Sequence, residues 1–276
     1  MSTLQGKLSI QQVSKIYDPE GANVHALQDC NLEVAAGEIC MLLGPSGCGK
    51  TTLLNAVAGF HSISQGAIHL DNQVLCDMQK PQAAQGSDRI VVFQNSALFP
   101  WKTLLNNVSY GPIVQKKLSK TNAKQHAAAL LSEAGLGDML HKYPGEISSG
   151  MARRAEIVRA LINEPKLLLL DEPYRAMDAL TKSIMHENLL KMYELKPSTI
   201  FFITHDLEEA VFLGHKVAIM TTRPATIKEV IPIDLPYPRD HRMLASESFR
   251  LQVKRVKEAV RSEAEKAFAA GEKELA

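Results

Sequence analysis

Residues 7–17 (K-L-S-I-Q-Q-V-S-K-I-Y) partly alternate apolar and polar side chains, a period of two that predicts a strand, and Asp18-Pro19-Glu20-Gly21 closes it with turn chemistry. Residues 24–34, ahead of a turn at Ala36-Gly37, predict a second strand pair. Together these strands predict a small antiparallel sheet. A short apolar run at 39–43 and a helix-like run at 53–58 follow, then strands at 66–70 and 89–93, the last (R-I-V-V-F) a buried type of run.

From 103 to 134 the pattern is helical, rich in alanine and leucine at 127–131, and no strand candidate appears until Lys166. Residues 95–158 therefore read as a helical insertion into an α/β domain. Pro165-Lys166 then introduces L-L-L-L-D-E-P, a strand buried on both faces that delivers two carboxylates at its C-terminal end. A helix at 179–195, a strand at 199–204, a helix at 206–213 and a strand at 216–220 complete an alternation that predicts a parallel sheet. Such sheets bind ligands beyond the carboxyl ends of their strands. Residues 225–238 predict an edge hairpin weakened by Pro232, Pro236 and Pro238. In the tail, Phe249, Val253, Val256 and Val260 fall four, three and four apart, one apolar face of a helix whose charges form the solvated face.

At 276 residues with 45% hydrophobic side chains, the chain can bury a core as one large domain or two small ones. The formal charge of +1 supplies no net field for nucleic acid or an anionic membrane, so no nucleic-acid partner is expected. Cys30, Cys40, Cys48 and Cys76 form no C-x-x-C pair, a usage that suits a reducing cytoplasm. Neither a signal-peptide apolar segment nor a membrane span is evident, so any membrane role is expected to come through a partner.

The candidate chemistry centres on G-P-S-G-C-G-K-T-T at 44–52, set between the apolar run and the helix, which fits the phosphate-loop pattern G-x-x-x-x-G-K-[ST]. In that geometry Gly44, Pro45, Ser46, Gly47, Cys48, Gly49 and Thr52 surround the phosphates, the glycines bringing backbone N–H groups close at a helix N-terminus. Lys50 reaches the β and γ phosphates, and the Thr51 hydroxyl binds Mg²⁺. Asp171, Glu172 and His205 also fall at strand ends.

A phosphate loop alone allows a kinase, a GTPase or a motor. Its companion here is I-S-S-G-M-A-R-R-A-E at 147–156, which resembles the signature motif of ABC transporter ATPases, usually L-S-G-G-Q. The resemblance covers residues 7–240 and leaves 241–276 as a C-terminal helical extension. It implies a P-loop NTPase (RecA-like) α/β core with a small antiparallel β subdomain and a helical signature subdomain. It also implies roles: Tyr17 stacks on adenine, Gln94 lies near Mg²⁺ and the attacking water, and Asp171 partners the metal. Glu172 is the base, His205 contacts the γ-phosphate, and Asp178 belongs to the loop after the acidic strand. Ser148, Ser149 and Gly150 contact ATP held by the opposite subunit. Taken singly, Tyr17 reads as packing, Gln94 as a surface amide and His205 as a strand-end histidine.

Finer features, A-L-F-P-W-K-T at 97–103, G-M-A-R-R-A-E and L-L-L-L-D-E-P-Y-R-A-M-D-A-L-T, resemble the importer subgroup for nitrate, taurine, alkanesulfonates and similar small solutes. The implied cofactors are ATP and Mg²⁺. The implied partners are a second ABC ATPase subunit in a homodimer, transmembrane permease subunits and, indirectly, a solute-binding protein, with the chain peripheral on the inner face of the cell membrane. Two departures stand out: Ser149 replaces a glycine, and Arg175 to Met177 (R-A-M) replaces the usual S-A-L. A soluble ABC ATPase acting in DNA repair or translation would carry two cassettes or a long insertion, and a P-loop kinase would carry no signature.

Overall fold

In the computed structural model, residues 4–175, 177–195 and 197–269 are described, so Ala176 and the last residues of the C-terminal extension lie outside the described part. Two sheets share the work. The first has the order β2-β1-β4-β5, from Leu8–Tyr17 (β1), Val24–Val34 (β2), Gln65–Leu70 (β4) and Gln73–Cys76 (β5), all paired antiparallel. The alternation in β1 is only partial because Gln12, at φ 50°, sits where its register shifts against both neighbours. Residues 24–34 form one strand, not a pair. Asp29 (φ 46°) lies at a second irregularity, so one continuous strand carries a broken pattern. The strand β5, absent from the sequence reading, is four residues long and is turned back by Asp71-Asn72.

The second sheet holds Ile39–Leu43 (β3), Arg89–Val92 (β6), Leu167–Asp171 (β7), Thr199–Ile203 (β8), Lys216–Met220 (β9) and Ile227–Pro232 (β10), ordered β10-β9-β3-β8-β7-β6. All neighbours run parallel except β10. The hairpin expected within 225–238 is instead one strand paired with β9, ending at Pro232, since each proline beyond it lacks the N–H a ladder needs. Every residue of β3 and β8 is buried, as are the four leucines of β7. Each buried leucine contributes roughly 1.5–3 kcal/mol relative to exposure, enough to anchor the acids that follow them.

The helices are Lys50–Ala58 (α1), Leu104–Val114 (α2), Lys120–Glu133 (α3), Ser149–Leu161 (α4), Ala179–Leu195 (α5), Leu207–Leu213 (α6) and Glu247–Ala269 (α7). The helical stretch 103–134 divides in two: Lys116 turns to φ 56° and Ser119 caps α3 by accepting from Asn122 N. Leu104, Val108, Ala127, Leu131 and Val158 give these helices their own core between β6 and β7. In α7, Phe249 and Val256 are buried and Val253 and Val260 partly buried against the core that includes α6 and β9, as the spacing predicts. Among the described residues no helix is long and apolar enough to cross a membrane.

Candidate functional site

The phosphate loop leaves the C-terminal end of β3 and turns into α1 through Gly47 (φ 72°) and Gly49 (φ 123°), backbone shapes that side chains resist. Helix α1 begins at Lys50, ahead of the apolar run, because its first turn is the polar K-T-T. Lys50 is buried, and its ammonium donates to Gly44 O at 2.8 Å and Pro45 O at 2.9 Å. Cys48 packs inside the loop, where burial pushes its thiol pKa up.

A cavity of about 520 Å³ opens over this loop. Ser46, Gly47, Gly49, Lys50, Thr51 and Thr52 line it on one side, and Gln94, Asp171 and Glu172 on the other. The Thr51 hydroxyl donates to Asp171 Oδ1 at 3.3 Å. Burial raises the Asp171 pKa, the Glu172 charge adds to the rise, and Thr51 and Lys50 oppose it. Glu172 stands at φ 45°, its N–H held by Ile203 O at 3.0 Å. A non-glycine residue there costs of order 1–3 kcal/mol, the kind of strain that persists where surrounding structure over-determines it. Its Oε2 is buried without a hydrogen-bond partner, 3.5 Å from His205 Nδ1 and 3.4 Å from the Arg175 guanidinium.

Two arginines that sequence reading left out of the site also line this cavity, Arg175 and Arg223. Arg223 Nε donates to Gly47 O at 2.6 Å, bracing the loop. Its position just past the end of β9 was the available signal, because ligands gather at such ends.

Gly44, Pro45, Cys48 and His205 do not line the cavity, and neither do Tyr17, Ser148, Ser149, Gly150 and Asp178. The Tyr17 hydroxyl is 2.9 Å from His61 Nδ1, and the Lys15 ammonium lies 4.8 Å from its ring centroid. Ser148 caps α4, its Oγ accepting from Met151 N at 3.3 Å, and both Ser148 and Ser149 are exposed at that helix N-terminus. Gly150 is buried, and a methyl group there would stand 3.0 Å from Thr181 Cγ2. Thr181 in turn donates twice to Asp178, which holds the Asp178 carboxyl below its ordinary pKa and caps α5.

Helix α4 is tied to the cavity wall. Arg153 donates to Phe93 O at 2.5 Å, to Gln94 O and to Glu156 Oε2 at 2.7 Å, while Glu156 Oε1 accepts from Ser96 Oγ at 2.9 Å and from Ala97 N. This buried, fully engaged pair ties α4 to the Gln94 loop. Both residues fall within the signature stretch at 147–156, yet neither drew a role of its own from the sequence.

Ser149 is the first residue of α4 and is not among the residues of positive φ, so glycine is not required there. Ser149→Gly is therefore expected to raise ATP turnover by no more than about tenfold, or ~1.4 kcal/mol of barrier. Steady-state assays of both proteins check this, and an inactive parent rescued by glycine would contradict it.

Residues 27–175 match the ABC transporter family. The chain is 39% identical over 244 residues to the nitrate transport protein NasD of Klebsiella oxytoca, an overlap of 87% of this chain and 90% of that one. It is 38% identical over 243 residues to the aliphatic sulfonates import ATP-binding protein SsuB of Bacillus cereus, an overlap of 88% and 91%. A solved dimeric ATP-binding cassette in a post-hydrolysis state, bound to ADP and phosphate, matches with a TM-score of 0.68 at 26% identity, over 83% of this chain and 100% of that one.

Proposed function

This chain belongs to the ABC transporter family of ATP-hydrolysing, ATP-binding proteins, and we propose that it is the motor subunit of an importer for nitrate, an alkanesulfonate or a related small solute. The observation that carries the reading is the division of the site. Phosphate loop, Asp171, Glu172 and Gln94 share one cavity, whereas the exposed N-terminus of α4 at Ser148 and Ser149 lies outside it. A second copy, closing head to tail, supplies that helix end to the ATP held on the first, with two ATP molecules per dimer.

Within each site water attacks the γ-phosphorus in line, the bond to the bridging oxygen breaks, and ADP and phosphate leave. Glu172 polarises the water and takes its proton, and His205, 3.5 Å from the same carboxylate, stabilises charge on the γ-phosphate. Lys50 exchanges the Gly44 and Pro45 carbonyls for phosphate oxygens. Oxygens of Thr51 and Asp171, with Gln94 on the same cavity, fit a hard divalent cation that keeps waters and phosphates as its other ligands. Mg²⁺ held there would neutralise developing phosphate charge. Closure on ATP and release after hydrolysis shift the dimer between two states, which drives the permease between two facings.

The permease is expected to dock beside the Gln94 loop, placing the chain at the cytoplasmic face of the membrane. A groove of about 700 Å³ there is lined by Phe93, Phe99, Tyr110 and Arg159, and Trp101 stands at its side, 70% exposed with its ring 5.6 Å from Phe99. Exposed aromatics of this size serve as anchors in interfaces. Trp101→Ala is expected to leave the melting temperature and basal ATPase nearly unchanged while weakening co-purification with the permease. Loss of folding without a specific assembly defect would contradict the docking role.

A further inference from the structure

His186 stands on α5 where three parts of the site meet, and only 7% of it is exposed. Its Nε2 is 2.7 Å from Glu209 Oε1 on α6, and Glu209 is itself buried. The imidazole packs between two rings, Tyr174 at 5.5 Å and Phe212 at 6.0 Å between centroids. Tyr174 is two residues beyond Glu172, on the loop that leaves β7, whereas α6 starts two residues beyond His205. One side chain thus touches the segment that follows the base and the helix that follows His205. A second tie runs parallel to it: Lys182 Nζ on α5 reaches Asp206 Oδ2 at 3.0 Å, and Asp206 caps α6. The hydrolytic step described above uses none of these groups.

We propose that His186 is a positioning residue for ATP hydrolysis, setting the approach of His205 to Glu172 through its hydrogen bond to Glu209 and its contact with Tyr174. A hydrogen bond between buried groups is directional, and truncating one partner leaves the other unsatisfied, so the bond fixes α6 against α5 more tightly than apolar packing does. His205 Nδ1 and Glu172 Oε2, 3.5 Å apart, must both face the γ-phosphate, and a misplacement of about 1 Å in such a pair can cost up to about a hundredfold in rate. The proposal rests on the assignment of Glu172 and His205 to the hydrolytic step. Glu172→Gln assayed alongside keeps the two claims apart, because an active Glu172→Gln protein removes that assignment, whatever His186 does.

The test compares His186→Leu, which fills the space without a donor, with His186→Gln, which keeps an N–H at similar reach. Melting temperature, kcat and KM for ATP are measured on each. The expected result is a kcat lowered about tenfold in His186→Leu with KM changed less than about threefold, and recovery of at least half the wild-type kcat in His186→Gln. Wild-type kcat in His186→Leu, equal losses in both variants, or a KM that rises in step with the loss of kcat would overturn the proposal. If His186→Leu does not fold, Glu209→Met against Glu209→Gln makes the same comparison from the other side of the bond.

Discussion

Replacing Glu172 with glutamine is expected to lower ATP turnover about a thousandfold while ATP binding stays within a few-fold of wild type, since a positioned general base contributes 10²–10⁴ in rate. The expectation rests on geometry. Glu172 is held at φ 45° by the Ile203 carbonyl, its Oε2 buried and without a hydrogen-bond partner among the described residues. That oxygen lies 3.5 Å from His205 Nδ1 and 3.4 Å from the Arg175 guanidinium, at a cavity wall where a carboxylate can take the proton of the attacking water and glutamine cannot. The phosphate contacts come from elsewhere, from the loop and Lys50, so they survive the change. ATP then accumulates unhydrolysed and the closed dimer with it. Size-exclusion chromatography with ATP reads that accumulation, and wild-type turnover in the variant would remove Glu172 from the mechanism.

Gly49→Ala is expected to weaken ATP binding by tenfold to a hundredfold, read by titration calorimetry, and to lower the melting temperature. At φ 123° alanine is strained by about 1–3 kcal/mol, each 1.4 kcal/mol being worth about tenfold in affinity. The added methyl would also stand 3.0 Å from Leu27 Cδ2 and 3.1 Å from the Ala26 carbonyl oxygen, which is backbone and cannot step aside. Gly47→Ala is the internal comparison. Its φ of 72° is left-handed but tolerable at about 1–2 kcal/mol, and the only group nearby is the flexible end of Arg223 at 3.3 Å. Equal losses in the two variants would mean that close approach around Gly49 is not what holds the loop.

Where the sequence reading succeeded, one local pattern carried the information. Four leucines followed by two acids fit a buried strand with polar groups at its exit, and the G-x-x-x-x-G-K-T spacing calls for a strand before it and a helix after it. Both stand as expected, on β7 and between β3 and α1. Reading failed where backbone irregularity broke the period. Asp29, at positive φ, interrupts β2, so one long strand looked like two, whereas β1 was legible as one strand although Gln12 breaks its alternation. It failed again where the fold brings distant residues together. Nothing near Arg223 in sequence announces that its guanidinium reaches Gly47, nor does R-R-A-E announce that Arg153 and Glu156 carry the Gln94 loop. Arg175 was visible as a departure from the family, yet its approach to Glu172 depends on the turn between them.

Each ATP is expected to be hydrolysed between the phosphate loop of one copy and the α4 N-terminus of another. Mixing two inactive proteins tests it most directly: Lys50→Ala, which loses the phosphate contact, and Gly150→Asp, which places bulk and negative charge at the helix end. In a mixed dimer both defects fall on one site and the other site is whole. ATPase activity is therefore expected to appear on co-assembly of the two variants in the transporter, although neither alone has any. If the mixture stays as inactive as its components while mixed dimers demonstrably form, the composite site is contradicted.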